Sequence, residues 1–429
     1  MSSNLQFMRN MINDASTFES FREHDFRWYY IAMINQNSAM NISMVARSFV
    51  AYELTGSFTA LGLMALSNAI PMIFFSPVGG VFADRFPKRL VLQGGQLFDG
   101  IAVTIVAVLL TAGILTFTHL LLMGLAHGAA VAFMMPARNS MIPELVGEER
   151  MMNAVALGTA SMNGTRMIAP AIAGFMLAFL DWSWVFYLMG FLYFAAMFSM
   201  IPIPINTKTY VREENFVSTD SKLNTIIANA KSGMNDIREA VKYVRATPVV
   251  GMILLIHLFV STLSMPYQHL LPGFVKDVLL KGPEWLGTLT AITALGSFIC
   301  ALIVASMPNR QRGMLFIVGL IILGSSMLAF SVSSILWIAI VTSFVIGIGQ
   351  TSRYSLTSVL LMSYTEDIFR GRVMSIYMME FGLVSFGTFA IAMMADAVGI
   401  QWAFIITSLG LLFISLYLLV AVTKLRNLD

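Results

Sequence analysis

A handful of ionisable side chains interrupt the apolar runs of this chain, and a charge deep in such a run costs several kcal/mol unless it is paired or wetted. Arg353 and Glu380 stand 13 and 14 residues from Glu366, on either side of it. If the flanking helices fold back as a hairpin, a rise of 1.5 Å per residue puts both about 20 Å from the turn, at one depth. There they can neutralise each other as a structural ion pair, or line a cavity in which the carboxylate takes up a proton. Arg166, in the stretch GTRMIAP, lies about 20 Å along its own helix. A guanidinium stays charged, so it can bind an anion or a carboxylate but cannot itself cycle a proton. Asp99 falls mid-way along another run, as a proton carrier or as a packing hydrogen-bond partner. His257 can titrate near neutral pH or sit as a satisfied core histidine. Arg47, near the end of the first run, can snorkel, pair with Glu53 or form part of an outer gate. That first run is also unusually polar, with Asn35, Gln36, Asn37, Asn41 and Ser43 available for bonds between helices or for a polar cavity wall.

The elements that must position these groups are set by hydropathy. The chain has 429 residues, 57% of them hydrophobic and 11% charged. Runs of about 20 apolar residues span the ~30 Å hydrocarbon core as helices. About twelve begin near residues 28, 58, 90, 117, 152, 182, 248, 285, 313, 334, 371 and 400. On this count 21 of the 26 Lys and Arg fall on one side, only Lys276 and Lys281 on the other, and Arg47, Arg166 and Arg353 within spans. Basic loops stay on the cytoplasmic side, so both termini are expected there, in a bacterial-type inner membrane. Moving the count by one helix destroys the asymmetry. The polar first 25 residues contain no cleavable signal, and the first span is expected to act as an anchor.

The spacing predicts an all-α polytopic protein. It has a cytoplasmic segment 1–27, a six-helix half 28–203, a cytoplasmic linker 204–247, a second six-helix half 248–424 and a tail 425–429. In the linker, Leu223, Ile226, Ile227, Ala230, Met234, Ile237, Val241 and Val244 recur at helical spacing among basic residues. They predict an amphipathic helix on the inner membrane surface, tethering the halves or binding a partner. NSMIPELVGEERMMNAVALG and SVLLMSYTEDIFRGRVMSIY echo each other at matching places in the two halves. Paired halves of this kind build many secondary transporters.

Several chemistries are excluded or unsupported. The single cysteine, Cys300, rules out an internal disulfide and a cysteine metal cluster. There is no Gly-Lys dipeptide, so a phosphate-cradling GxxxxGK[ST] loop is absent. No GxSxG turn or clustered His and carboxylate motif suggests an enzyme. The net charge of +3 follows from the inner loops and does not point to nucleic acid.

Between the second and third runs the chain reads Gly79-Gly80-Val81-Phe82-Ala83-Asp84-Arg85-Phe86-Pro87-Lys88-Arg89. This resembles the signature loop of the major facilitator superfamily. YELTGSFTALG, PARNSMIPELV, GTRMIAPAIAG, LLPGF and FRGRVMS resemble its drug:proton antiporter branch, which holds macrolide efflux proteins and the enterobactin exporter. The resemblance runs from about residue 21 to 424. It implies a fold of twelve transmembrane helices in two pseudo-symmetric halves, which rock to expose a midplane cavity to each side in turn. It implies no cofactor, a proton gradient as energy source, and export of an amphipathic organic compound such as a drug, macrolide or siderophore-like molecule. Uptake or facilitated diffusion of a metabolite is the alternative, and a non-transporting receptor on the same fold a further one. The partners implied are a small-molecule substrate, protons and membrane lipids, with the chain acting as a monomer.

Carried over residue by residue, the resemblance makes Gly80, Asp84, Arg85 and Arg89 a gating loop. Its carboxylate would contact the start of the eleventh helix near Arg370, Gly371 and Arg372 and latch the outward-open state. It puts Arg166 on the cavity, reads part of the first helix, including Asn37 and Asn41, as substrate-lining, and makes Gly164, Pro170 and Gly174 a helix-bend motif. Pro87 stands where the wider superfamily has Gly, and Ala169-Pro170 where the antiporter signature has Gly-Pro. The 32 Met and 32 Phe suit a loosely specified apolar cavity as well as any membrane core.

Overall fold

The computed structural model describes residues 16–205, 238–307, 311–426 and 428. A short 3-10 helix, Ser16–Arg22, leads into α1 (His24–Thr55), α2 (Phe58–Arg85), α3 (Lys88–Thr111), α4 (Phe117–Phe179) and α5 (Trp182–Ser199). After a short helix α6 over 238–246 come α7 (Pro248–Ser264), α8 (Pro266–Asp277), α9 (Pro283–Ser306) and α10 (Arg312–Val332). The chain closes with α11 (Leu336–Tyr364), α12 (Asp367–Val398), α13 (Ile400–Ala421) and α14 (Thr423–Arg426). Five helices start on the residues expected from hydropathy: 58, 117, 182, 248 and 400.

α4 contains two crossings. Gly147 takes φ 73° and ψ 174°, so the chain turns back there through a positive-φ residue that a side chain would strain. α7 and α8 together form one crossing, Pro248–Asp277. Among the described residues, ten segments are long and apolar enough to cross a membrane by length and composition. The two further long segments are α1 and the limb of α4 beyond Gly147. They miss that apolarity because they carry the asparagines of the first run, Arg47, Asn163 and Arg166.

The termini of the helices follow ordinary capping rules. Ser57 caps α2, Asp181 caps α5 by accepting from the Ser183 amide at 2.9 Å, and Gly56 ends α1 with φ 62°. Exposed Asp181 is held below the usual carboxylate range by the hydroxyl and amide of Ser183.

The two halves meet along α2 against α12 and along the second limb of α4 against α9. One apolar core runs through both halves, and a second fills the inner end of the first half around Phe26, Tyr29, Met134 and Met200. At the outer end the halves are joined closely. Lys276 pairs with Glu53 at 2.7 Å, and the Tyr52 hydroxyl donates to Asp277. Asp396, at the end of α12, accepts from Ser57 Oγ (2.7 Å) and from the amides of Phe58 (2.7 Å) and Thr59 (2.8 Å) at the start of α2. Ideal Cβ atoms on Gly174 and Gly287 would meet the carbonyls of Pro283 and Pro170 at 2.6 and 2.5 Å, so the backbones of α4 and α9 touch. The halves stay in contact as far as Ile73, which packs against Gly382 of α12, and beyond it Phe74, Phe75 and Val78 of α2 are exposed. The halves are closed together at the end that holds Glu53 and Asp396, and part toward the end that holds Gly147.

Only the end of the expected linker helix lies within the described residues; positions 223–237 fall outside them. In α6, Ala240 is buried, Tyr243 and Val244 are half-buried, and Val241 is exposed. The Tyr243 ring stacks on Phe369 with centroids 4.2 Å apart, and its hydroxyl accepts from the Glu366 amide at 3.2 Å. Glu239 pairs with Arg372 at 2.8 Å. Replacing Tyr243 with Ala removes the stack and the capping bond and should cost about 1–2 kcal/mol, read as a lower melting temperature in detergent. An unchanged melting temperature would show that α6 does not stabilise the α11–α12 turn.

Candidate functional site

The structure brings Arg353 and Glu380 together, and adds partners that spacing did not reveal. Arg353 Nη1 lies 3.8 Å from Glu380 Oε1. His257 of α7 reaches the same carboxylate, with Nε2 2.6 Å from Oε2. The Ser261 hydroxyl, one turn along α7, accepts from the guanidinium. His257 and Arg353 are almost wholly buried, while 12% of the Glu380 side chain is exposed. Tyr354 and Tyr377 line the cluster, their ring centroids 6.3 and 4.9 Å from the imidazole. The buried cation is balanced by a carboxylate 3.8 Å away and bonded to one hydroxyl, while its Nε has no partner.

The hydrogen-bond geometry gives this cluster two proton arrangements. His257 Nδ1 lies 2.8 Å from Thr357 Oγ, and that hydroxyl lies 2.7 Å from the Arg353 carbonyl. A hydroxyl has one hydrogen to give. If it points to the imidazole, His257 is neutral and donates through Nε2 to Glu380. If it points to the carbonyl, Nδ1 carries a hydrogen, and the ring is either an imidazolium or the Nδ1–H tautomer facing a protonated Glu380. One added proton is therefore absorbed by a hydroxyl rotation, with no heavy-atom movement. A proton taken by Glu380 instead removes the counter-charge of Arg353.

Arg166 faces the space between the halves. On α4 the residues Ile168, Ile172, Phe175 and Phe179 form an exposed apolar stripe on the lipid side. Arg166 lies on the opposite face, in line with Thr159 and Met162 by helical spacing. It is itself exposed, and its charge acts on the half-buried Tyr354 across the gap. Beyond it, Ala169, Pro170 and Ala173 are buried, where the outer closure begins.

Asp99 is placed away from this gap. It is buried, with Oδ2 3.0 Å from Nδ1 of His127, a residue the sequence reading did not single out. Next to it Gln96 donates to Gln36 at 3.2 Å. This is interior polar packing within the first half. Replacing Asp99 with Ala should destabilise the protein by about 2–4 kcal/mol, since it strands a buried polar partner. A double-mutant cycle with His127→Ala, followed by thermal melting, measures the coupling; additive losses would show that the pair does not interact.

Arg47 does not pair with Glu53, which is taken by Lys276, and it does not snorkel. It is buried and donates to Asn68 Oδ1 at 3.3 Å, with Nε and Nη2 lacking partners. Asn37 is buried and Asn41 is half-buried, bonded to the Asn37 carbonyl at 2.8 Å. Of the polar face of α1, only Asn35, Ser38, Asn41 and Ser48 reach partial exposure.

In the loop between α2 and α3, the side chains of Asp84 and Arg85 lie outside the described residues. Gly80 has open space where a Cβ would sit, and Arg89 donates to the Ile203 carbonyl and to Gln93 at 3.3 Å. Arg370 pairs with Asp367 at 2.7 Å, and Arg372 with Glu239. Gly164, Pro170 and Gly174 lie in continuous helix, where the non-helical residue is Gly147. Gly174 serves a close contact with α9; an ideal Cβ on Gly164 meets nothing within 4 Å.

The chain matches a family described as transmembrane secretion effector over residues 15–429. It is 24% identical to the staphyloferrin A transporter of Staphylococcus aureus (strain NCTC 8325 / PS 47), over 83% of this chain and 86% of that one. It is 19% identical to macrolide efflux protein A of Streptococcus pyogenes, over 96% and 99%, and 24% identical to the enterobactin exporter EntS of Salmonella typhi, over 94% and 93%. Among solved structures it is similar in fold to a bacterial homologue of the human lysosomal transporter Spinster, in an inward-facing and occupied conformation. The TM-score is 0.74 at 13% identity, covering 94% of this chain and 98% of that one. A peptide transporter POT gives 0.73, also at 13% identity, over 94% and 95%. With its all-α architecture, paired halves and the gap between them, the chain belongs to the transmembrane secretion effector family of major facilitator transporters and is a multi-pass membrane transporter, not an enzyme.

Proposed function

We propose that the protein exports an amphipathic organic compound across a bacterial inner membrane in exchange for protons, by alternating access of the gap between its halves. The observation that carries this reading is the Glu380–His257–Arg353 cluster: a carboxylate and an imidazole 2.6 Å apart, at the edge of the gap and beside a fixed positive charge. Loading a proton there changes the net charge facing the gap, which is what coupling requires. Export and an amphipathic cargo are supported by the names of the relatives, and cytoplasmic termini by the Lys and Arg asymmetry. The chain is read as working as a monomer, with no cofactor.

The test uses inside-out vesicles energised to an acidic interior. Macrolides, catechol siderophores and cationic dyes are added one at a time, and the pH gradient is followed by dye fluorescence. A gradient collapse that depends on the added compound and survives in Asp99→Asn is the expected result. If the folded protein moves a compound without disturbing the gradient, facilitated diffusion or uptake replaces antiport, in line with Ala169 standing where the antiporter signature has Gly.

A further inference from the structure

We infer that the compound carried bears an anionic group, a carboxylate in the simplest case, and that Arg166 and Tyr354 hold it between the two halves. This rests on reading the inward-open gap as the substrate cavity, and it adds the charge class of the cargo.

The argument is a charge balance over the gap. Arg353 is compensated by Glu380 at 3.8 Å, and Arg370, Arg372 and Lys276 each pair with a carboxylate near the surface. Arg166 has no acidic partner among the described residues. It lies 19 residues beyond the Gly147 turn, about 28 Å along the helix, on the face turned away from lipid. Exposed to the gap, the guanidinium is wetted while the gap is open, but closing the gap over it is costly unless something of opposite charge arrives. Its planar fork suits two oxygens of one carboxylate. Tyr354 stands across the gap within reach of its field and belongs to α11, next to the proton cluster on α7, α11 and α12. An anion bound between Arg166 and Tyr354 would touch both halves at once, as an occupant that triggers closure must. Met162, one turn back on the same face of α4, is exposed and offers apolar surface to the rest of the molecule.

The test is a set of three fluorescent probes with one apolar body and different heads: 1-pyrenebutyrate, 1-pyrenebutanol and 1-pyrenebutyltrimethylammonium. Saturable binding to the full-length protein in detergent is read by energy transfer from its tryptophans, with empty micelles subtracted. A charge-assisted contact should make the butyrate bind about tenfold or more tighter than the alcohol, and the ammonium weakest. Arg166→Gln should erase that preference, Arg166→Lys should keep part of it, and Tyr354→Phe should weaken it. Equal binding of the three heads, or a preference for the ammonium, overturns the proposal. So does a butyrate preference that survives Arg166→Gln. If Arg166→Gln does not fold, the wild-type ranking and Arg166→Lys still decide. Because the readout is binding, it stands apart from proton coupling: an Arg166-dependent butyrate preference without gradient collapse would sink the antiport reading and leave the charge class intact.

Discussion

Replacing Glu380 with Gln is expected to abolish substrate-driven proton movement while leaving the protein folded. The amide side chain would still offer His257 an acceptor in place of the 2.6 Å contact, so the cluster keeps its packing. It would lose the charge that balances Arg353 and the site that a proton can occupy. Loss of a positioned proton carrier lowers rates by about two orders of magnitude or more, and that is the scale expected for gradient collapse in vesicles. Truncation to Ala is a different experiment. It leaves Arg353 and His257 buried without a carboxylate, and breaking a buried pair from one side costs about 3–5 kcal/mol. Glu380→Ala should therefore melt at a clearly lower temperature, whereas Glu380→Gln should not. Wild-type coupling in Glu380→Gln would remove this carboxylate from the mechanism.

The second large effect is expected at Gly287. A Cβ there would lie 2.5 Å from the Pro170 carbonyl and 2.9 Å from the Gly174 Cα. Both neighbours are backbone, so neither can swing aside, and only separation of α4 from α9 relieves the clash. Gly287→Leu should stop the outer ends from meeting and hold the protein open to the outside. Only the part of the shared apolar core beside the α4–α9 contact has to separate, so the fold should survive while transport is lost. Cysteine accessibility reads this out. In a Cys300→Ser background with Ala173→Cys, a membrane-impermeant maleimide added from outside should label Gly287→Leu about tenfold faster or more, as the closed population empties. Equal labelling with and without the leucine would mean that the halves close through other contacts.

The architecture was readable in the sequence because two strong signals agreed. Hydropathy set helix starts at 58, 117, 182, 248 and 400, and the basic residues fixed the parity of the crossings. The pairing of Arg353 with Glu380 was also legible, since equal spacing from one turn fixes equal depth on a hairpin. What spacing could not supply was the third helix. His257 lies 96 residues from Arg353, and nothing local says that α7 packs its histidine onto that pair. His127 went unnoticed for the same reason: within GLAHGAA it looks like an isolated residue, and only the packing of α4 on α3 gives it Asp99. Arg47 illustrates the opposite failure. Its nearness to Glu53 in sequence suggested a pair, but the two point to different neighbours, Asn68 and Lys276. In the linker, the apolar spacing included Val241, yet Tyr243 makes the docking contacts. Tyrosine sits outside a count of aliphatic residues and so escaped it.

The unmatched charge of Arg166 has an electrical consequence. If the cargo is a monovalent anion and one proton enters as it leaves, both movements carry positive charge inward. Across a membrane that is negative inside, each unit contributes about 2.3 kcal/mol per 100 mV. Voltage would then drive export twice over in each cycle, and the protein would keep working in cells whose pH gradient has collapsed but whose potential has not.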